Sequence, residues 1–149
     1  MLRLSSGIYG SDSVAALGVA AHECGHAIQD GVGYVPLKIR GAIAPVARFS
    51  SYASWILILL GALFSLFNLI TIGIIVFAVM VLFQVVTLPV EFNASHRALV
   101  ALQEQGFLAE DETRQARKVL QAAALTYVAA ALTAILQLLR LLLIFGRRR

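Results

Sequence analysis

This sequence is poor in charge. Only 13% of its 149 residues are Asp, Glu, Lys or Arg, against roughly 25% in typical soluble domains. A single cysteine, Cys24, leaves no partner for an internal disulfide, so cysteine usage does not call for an oxidising compartment. The net charge of +4 is small, and most basic residues flank apolar stretches. No aromatic-basic patch or nucleic-acid fold signature accompanies them, which excludes nucleic acid as the expected partner. Met1 to Gly10 lack the apolar core of a cleavable signal peptide. Internal repeats, low-complexity tracts and flexible linkers are also missing, so residues 1–149 read as one domain. What remains is 60% hydrophobic, with a mean hydropathy of +0.85. That composition belongs to a membrane protein, with the lipid bilayer as its first partner.

From the N-terminus, Leu2-Arg3-Leu4-Ser5 alternates apolar and polar, and Ile8-Tyr9 follows a glycine. The pattern allows one short edge strand. Gly10 to Ser13 is a turn and helix start, where Ser11 or Asp12 could accept from the first free amides. A helix is expected over Ser13 to Asp30, with Gly31 and Gly33 as stop signals. Tyr34 to Ser54, broken by Pro36 and Pro45 and carrying Lys38, Arg40 and Arg48, reads as an interfacial connector along the membrane surface. Trp55 to Leu88 is nearly free of charge and exceeds the roughly 20 residues one span needs. We expect a hairpin turning at Asn68, with membrane segments at about 55–67 and 70–88. A helix follows from Glu91 to Glu104, closed by Gly106. The last helix opens on Glu110-Asp111-Glu112, acids that complement its dipole, and supplies a third membrane segment over about 122–145. The expected fold is an all-α integral membrane protein in which a polar-bearing helix packs with the hairpin and the C-terminal membrane helix.

That polar-bearing helix holds His22-Glu23-Cys24-Gly25-His26, of the form His-Glu-x-x-His. Residues four apart share a helix face, so His22 and His26 can offer two imidazole nitrogens to one Zn²⁺. Glu23 can reach a water on that metal as general base. The bland alternative is two helix histidines satisfied by ordinary hydrogen bonds. Cys24 lies about 100° around the helix from its neighbours and points away from the metal position, which favours a packing role over that of a thiolate ligand. Gly25 allows another backbone or a substrate to come close. Two His and a Glu on so apolar a helix need partners once buried, and a metal is one.

Catalytic zinc takes three protein ligands and keeps a position for water. Glu91, His96, Asp30 and Glu104 are the candidates for the third. Glu91 is the best, because it ends an apolar run where an unpaired carboxylate would be costly; its alternative is a pair with Arg97. His96 would give a three-histidine site, and Asp30 reads as a helix-end acid. Asn93 and Ser95 suit hydrogen bonds to a ligand or an outward-facing polar role. Tyr127 and Arg140 read as interface anchors or helix contacts. The hairpin matters here: two spans bring Glu91 back to the side of His22, whereas one span would separate them.

His22 to Gln29 (HECGHAIQ), Leu88 to Ser95 (LPVEFNAS), Ala122 to Ala131 (AAALTYVAAA) and Leu138-Leu139-Arg140 together carry a resemblance. The chain resembles the YugP-like membrane zinc metallopeptidases of bacteria over nearly its whole length. More distantly it is similar to HtpX-type membrane gluzincins. The resemblance implies one Zn²⁺ held by His22, His26 and Glu91, with Glu23 as catalytic base and a protein or peptide as substrate. The distant relatives' Glu-x-x-Ala-Asp pattern ends here in Ser95, which leaves the role of that Asp open. It also implies a membrane anchor and a short soluble region ahead of Leu2, where this chain begins. The expectation is therefore a metallopeptidase domain without that anchor. Eight of the twelve basic residues (Arg3, Lys38, Arg40, Arg48, Arg97, Arg114, Arg117, Lys118) fall on the side of the motif. Basic residues favour the cytoplasm, so the site is expected to face it, in a multi-pass protein of the bacterial inner membrane. Arg147 to Arg149 pull the other way if the last helix crosses fully. Two other readings stand beside the peptidase: a catalytically silent zinc-binding membrane protein, and a structural membrane subunit without metal.

Overall fold

A computed structural model describes residues 4–146. They form five helices: α1 (Ser6–Tyr9), α2 (Val14–Gly31), α3 (Val35–Leu63), α4 (Phe67–Glu104) and α5 (Glu110–Gly146). No strand occurs among the described residues. The short N-terminal strand expected from alternation is corrected for its described part, since Ser6–Tyr9 closes a helical turn by Tyr9 N–H to Ser5 C=O at 2.9 Å. A strand needs a neighbour to satisfy its backbone, whereas one helical turn satisfies itself locally. Leu2 and Arg3 lie outside the described residues.

The helix ends follow local rules with small displacements. Ser13, rather than Ser11 or Asp12, caps α2 by accepting from Ala16 N–H at 3.1 Å, while the Ser11 hydroxyl donates to that of Ser13. Gly33 (φ 67°) ends α2 in the left-handed conformation, with Tyr34 N–H returning to Gln29 C=O at 2.9 Å. Gly106 (φ 65°) closes α4 in the same way, through Phe107 N–H to Leu102 C=O at 3.3 Å. The Glu112 carboxylate reaches back to Ala109 N–H at 2.9 Å at the start of α5.

Three boundaries differ from expectation. The basic connector is not a separate element: α3 runs through Pro45 into the apolar segment, the proline removing one bond from the ladder without ending it. Likewise α4 passes through Pro89 as one helix. The hairpin turns at Phe64–Leu66 rather than Asn68, with Ser65 at φ 56° and Leu66 N–H bonding Gly61 C=O at 2.8 Å. Reciprocal glycine–isoleucine contacts explain that position. A Cβ on Gly61 would lie 2.6 Å from Ile70 Cγ1, and one on Gly73 would lie 2.7 Å from Ile58 Cγ1. Such close approach is how membrane helices associate. It fixes the register of α3 against α4, and the turn follows from the register.

The chain divides into two compact units, Met1–Lys38 with Leu88–Tyr127 and Ile39–Thr87 with Val128–Arg149. Ala21, Ala98, Leu102, Ala116 and Leu120 form the core of the first. Ile58, Phe77, Val81, Ala134 and Leu141 form that of the second, where Trp55 meets Phe77 edge-on at 6.0 Å. All eight acidic residues belong to the first unit. The second unit turns Leu59, Ile75, Leu136 and Leu143 outward, a surface suited to lipid rather than water. Helices α3, α4 and α5 are each long and apolar enough to cross a bilayer. The protein is an all-α membrane protein.

Candidate metal centre

The site is built where two helices approach closely. Gly18, Ala21, Gly25 and Gln29 lie buried along one face of α2, the face a 3.6-residue period aligns. On α4, Val90, Glu91, Ala94, Ser95 and Ala98 are buried. Gly25 sits directly on the Ala94 backbone: a Cβ there would collide with the Ala94 carbonyl oxygen and lie 3.2 Å from its Cα. His22 and His26 flank this contact from α2, and Glu91 stands one turn before Ala94 on α4.

The consequence is a convergence of three donor groups. His22 Nε2 lies 3.0 Å from Glu91 Oε2, and His26 Nε2 lies 3.6 Å from the same oxygen. Ligand atoms of the three side chains all fall within 4.8 Å of one another. The two rings meet edge-on, with centroids 4.7 Å apart. Glu91 is 1% exposed. His96, Asp30 and Glu104, the other candidates for a third ligand, are exposed and lie outside this group. Arg97 bonds Asn93 through its Nε at 2.8 Å, and both histidines face Glu91. Cys24 is exposed and joins no core among the described residues.

The donor set fits a zinc ion. Bonds of about 2.0–2.1 Å to nitrogen and oxygen in a tetrahedron put neighbouring ligand atoms about 3.4 Å apart. The two separations to Glu91 Oε2, 3.0 and 3.6 Å, bracket that spacing. Each ring is also held from behind, as metal-ligating histidines are. Ser95 Oγ lies 3.1 Å from His22 Nδ1, and Gln29 Oε1 lies 2.9 Å from His26 Nδ1. Ser95 thus occupies a supporting position behind the first histidine. Gln29, fully buried, was not a candidate from sequence. Its place three residues after His26 on an otherwise apolar buried face is the signal that marks it.

A cavity of about 220 Å³ opens on the group. His22, Glu23, Glu91 and Ser95 line one side, and Val119, Leu120, Ala123, Ala124 and Tyr127 the other. Glu23 is exposed and faces the space beside the three donors. Tyr127 lines it too, a position its sequence setting in a membrane helix did not disclose.

The Gly25 contact predicts a sign. In an ordinary helix Ala is favoured over Gly by about 1 kcal/mol. Here an added methyl meets a backbone carbonyl that cannot rotate away, so the upper end of the roughly 1–3 kcal/mol cost of overpacking applies. Gly25→Ala is expected to destabilise the folded protein in a denaturant titration and to weaken zinc retention. A stabilised variant would show that the helices are farther apart than described.

The chain is 48% identical to the "Putative membrane protease YugP" of Bacillus subtilis (strain 168) over 145 residues. The alignment takes in 97% of this chain and 64% of that relative, so the chain spans somewhat less than two thirds of the protein it matches. No solved structure matches it. The family described as "Putative neutral zinc metallopeptidase" matches residues 1–146. His22, His26 and Glu91 lie close enough together to hold one metal ion, and the chain belongs to that family.

Proposed function

We propose that this protein is a zinc-dependent membrane endopeptidase. The observation that carries the reading is the convergence of His22, His26 and Glu91 within 4.8 Å beside a cavity that Glu23 also lines. Zinc bound there would polarise a peptide carbonyl and make a water acidic enough to give a nucleophile near neutral pH. The chain's own groups do the rest. His22 and His26 present Nε2, with Ser95 and Gln29 holding their rings. Glu91 supplies the third ligand and offsets charge. Glu23 takes the proton from the attacking water on its carboxylate and returns it to the leaving amine. The apolar wall of Val119, Leu120, Ala123 and Ala124 suits one aliphatic side chain of an extended peptide.

The location follows from length and charge. Counting about 20 helical residues from Phe67 as a span brings α4 to the edge of the hydrocarbon near Val86. Glu91 comes little more than one turn later, at the level of the headgroups. On the sequence reading, eight of the twelve basic residues flank the spans on the side of the site, which favours the cytoplasmic face of a bacterial inner membrane.

Chelation tests the reading. Purified full-length protein in detergent is expected to carry about one zinc per chain and to cleave an unfolded membrane-protein substrate. A chelator should abolish cleavage, and added Zn²⁺ should restore it. Zinc binding without cleavage would replace the peptidase by a silent zinc-binding membrane protein. No zinc at all would leave a structural subunit.

A further inference from the structure

Behind His26 lies a chain of polar groups that the ligand set alone does not require. Gln29 Nε2 donates to Val90 C=O at 2.8 Å and to Asn93 Oδ1 at 3.0 Å. Arg97 Nε donates to the same Asn93 oxygen at 2.8 Å. Gln29 Oε1 meets His26 Nδ1 at 2.9 Å. The donor and acceptor roles in this chain are forced. An arginine N–H only donates, so the Asn93 atom facing it is the oxygen. A backbone carbonyl only accepts, so the Gln29 atom facing Val90 is the amide nitrogen. With its nitrogen committed to two acceptors, Gln29 turns its oxygen to His26. That oxygen accepts, so His26 Nδ1 must carry the hydrogen.

We propose that Gln29, oriented by the Val90 carbonyl and by Asn93 with Arg97, locks His26 in the Nδ1–H tautomer and so aims the Nε2 lone pair at the metal position. Gln29 is a positioning residue, acting through His26. Locking matters because a neutral imidazole has two tautomers and only one presents Nε2 to a metal. Selecting it before the ion arrives removes a rearrangement from binding. His22 is held differently: its Nδ1 faces a serine hydroxyl, which can donate or accept, and its Nε2 lies 3.0 Å from the Glu91 carboxylate. The two ligands are therefore unequal, with His26 preset and His22 adaptable.

The proposal rests on the zinc reading for its purpose, but its test does not need zinc. Metal-free, ¹⁵N-histidine-labelled full-length protein in micelles is examined by long-range ¹H–¹⁵N correlation, at a pH well above the ordinary imidazole value of about 6.5. The chain has three histidines, and the His26 signal is identified by its loss in His26→Gln. The wild type should show His26 as Nδ1–H. Gln29→Leu, similar in size but unable to accept, should release the ring to a mixture containing Nε2–H. Asn93→Asp keeps an acceptor for both Arg97 and Gln29 and should retain the wild-type tautomer. In zinc titrations Gln29→Leu should bind roughly 10–100-fold more weakly, the usual cost of losing such a partner, and Asn93→Asp within a few-fold of wild type. His26 as Nε2–H in the metal-free wild type overturns the proposal, even if Gln29→Leu does not fold and even if zinc binds. An unchanged Nδ1–H tautomer in folded Gln29→Leu overturns it as well. Nδ1–H in a wild type that binds no zinc would instead remove the zinc reading and leave the lock standing.

Discussion

Glu23→Gln is expected to abolish peptide cleavage while leaving zinc at about one per chain. Glutamine matches glutamate in shape but cannot accept a proton, so the variant removes one function from the site and nothing else. A positioned general base contributes roughly 10²–10⁴-fold to rate, which sets the size of the loss. Binding of the ion should not follow, because Glu23 is exposed and lies outside the group of three donors. The informative result is the split between the two measurements. A folded Glu23→Gln protein that cleaves at the wild-type rate would sink the mechanism. One that loses zinc with activity would make Glu23 a ligand, and the assignment of Glu91 would need revision.

The parts of this site that sequence disclosed are those with a short period or a strong membrane cost. His22 and His26 are four apart on one helix, and no tertiary knowledge is needed to put them on one face. Glu91 is an acid at the end of a long apolar run, where membrane energetics demand a partner. The α2 and α4 stop signals at Gly33 and Gly106 are equally local. What sequence did not disclose depends on how helices meet. Tyr127 faces the cavity because of the rotation of α5 about its own axis, which an almost uniformly apolar segment does not encode. Asn93 suits an outward or a ligand-side role equally by residue type, and only the approach of Gln29 and Arg97 to its Oδ1 decides between them. Residue type points to a bend at Asn68, but contacts of Gly61 and Gly73 with isoleucines decide it three residues earlier, at Ser65.

Glu91→Ala carries the second large expectation, loss of the metal altogether. Two histidines would remain, one short of the three protein ligands a catalytic zinc takes. Removing an outer partner of a ligand costs roughly 10–100-fold in affinity, and removing the ligand itself must cost more. The stoichiometry should therefore fall from about one zinc per chain toward zero. Stability offers an independent reading of the same event. A ligand at 100 times its dissociation constant stabilises the folded state by about 2.7 kcal/mol, so zinc should raise the wild-type melting temperature and leave that of Glu91→Ala unmoved. His96→Ala is the control, since His96 is exposed and outside the donor group; its zinc content and melting response should match wild type. The comparison also probes the chain's path. His22 and Glu91 are 69 residues apart, and α3, the turn at Phe64–Leu66 and the first part of α4 lie between them. Zinc lost with Glu91 and kept without His96 requires that the hairpin return Glu91 to the side where His22 stands. Zinc retained in Glu91→Ala would remove the main chemical reason for placing the two on one side of the membrane.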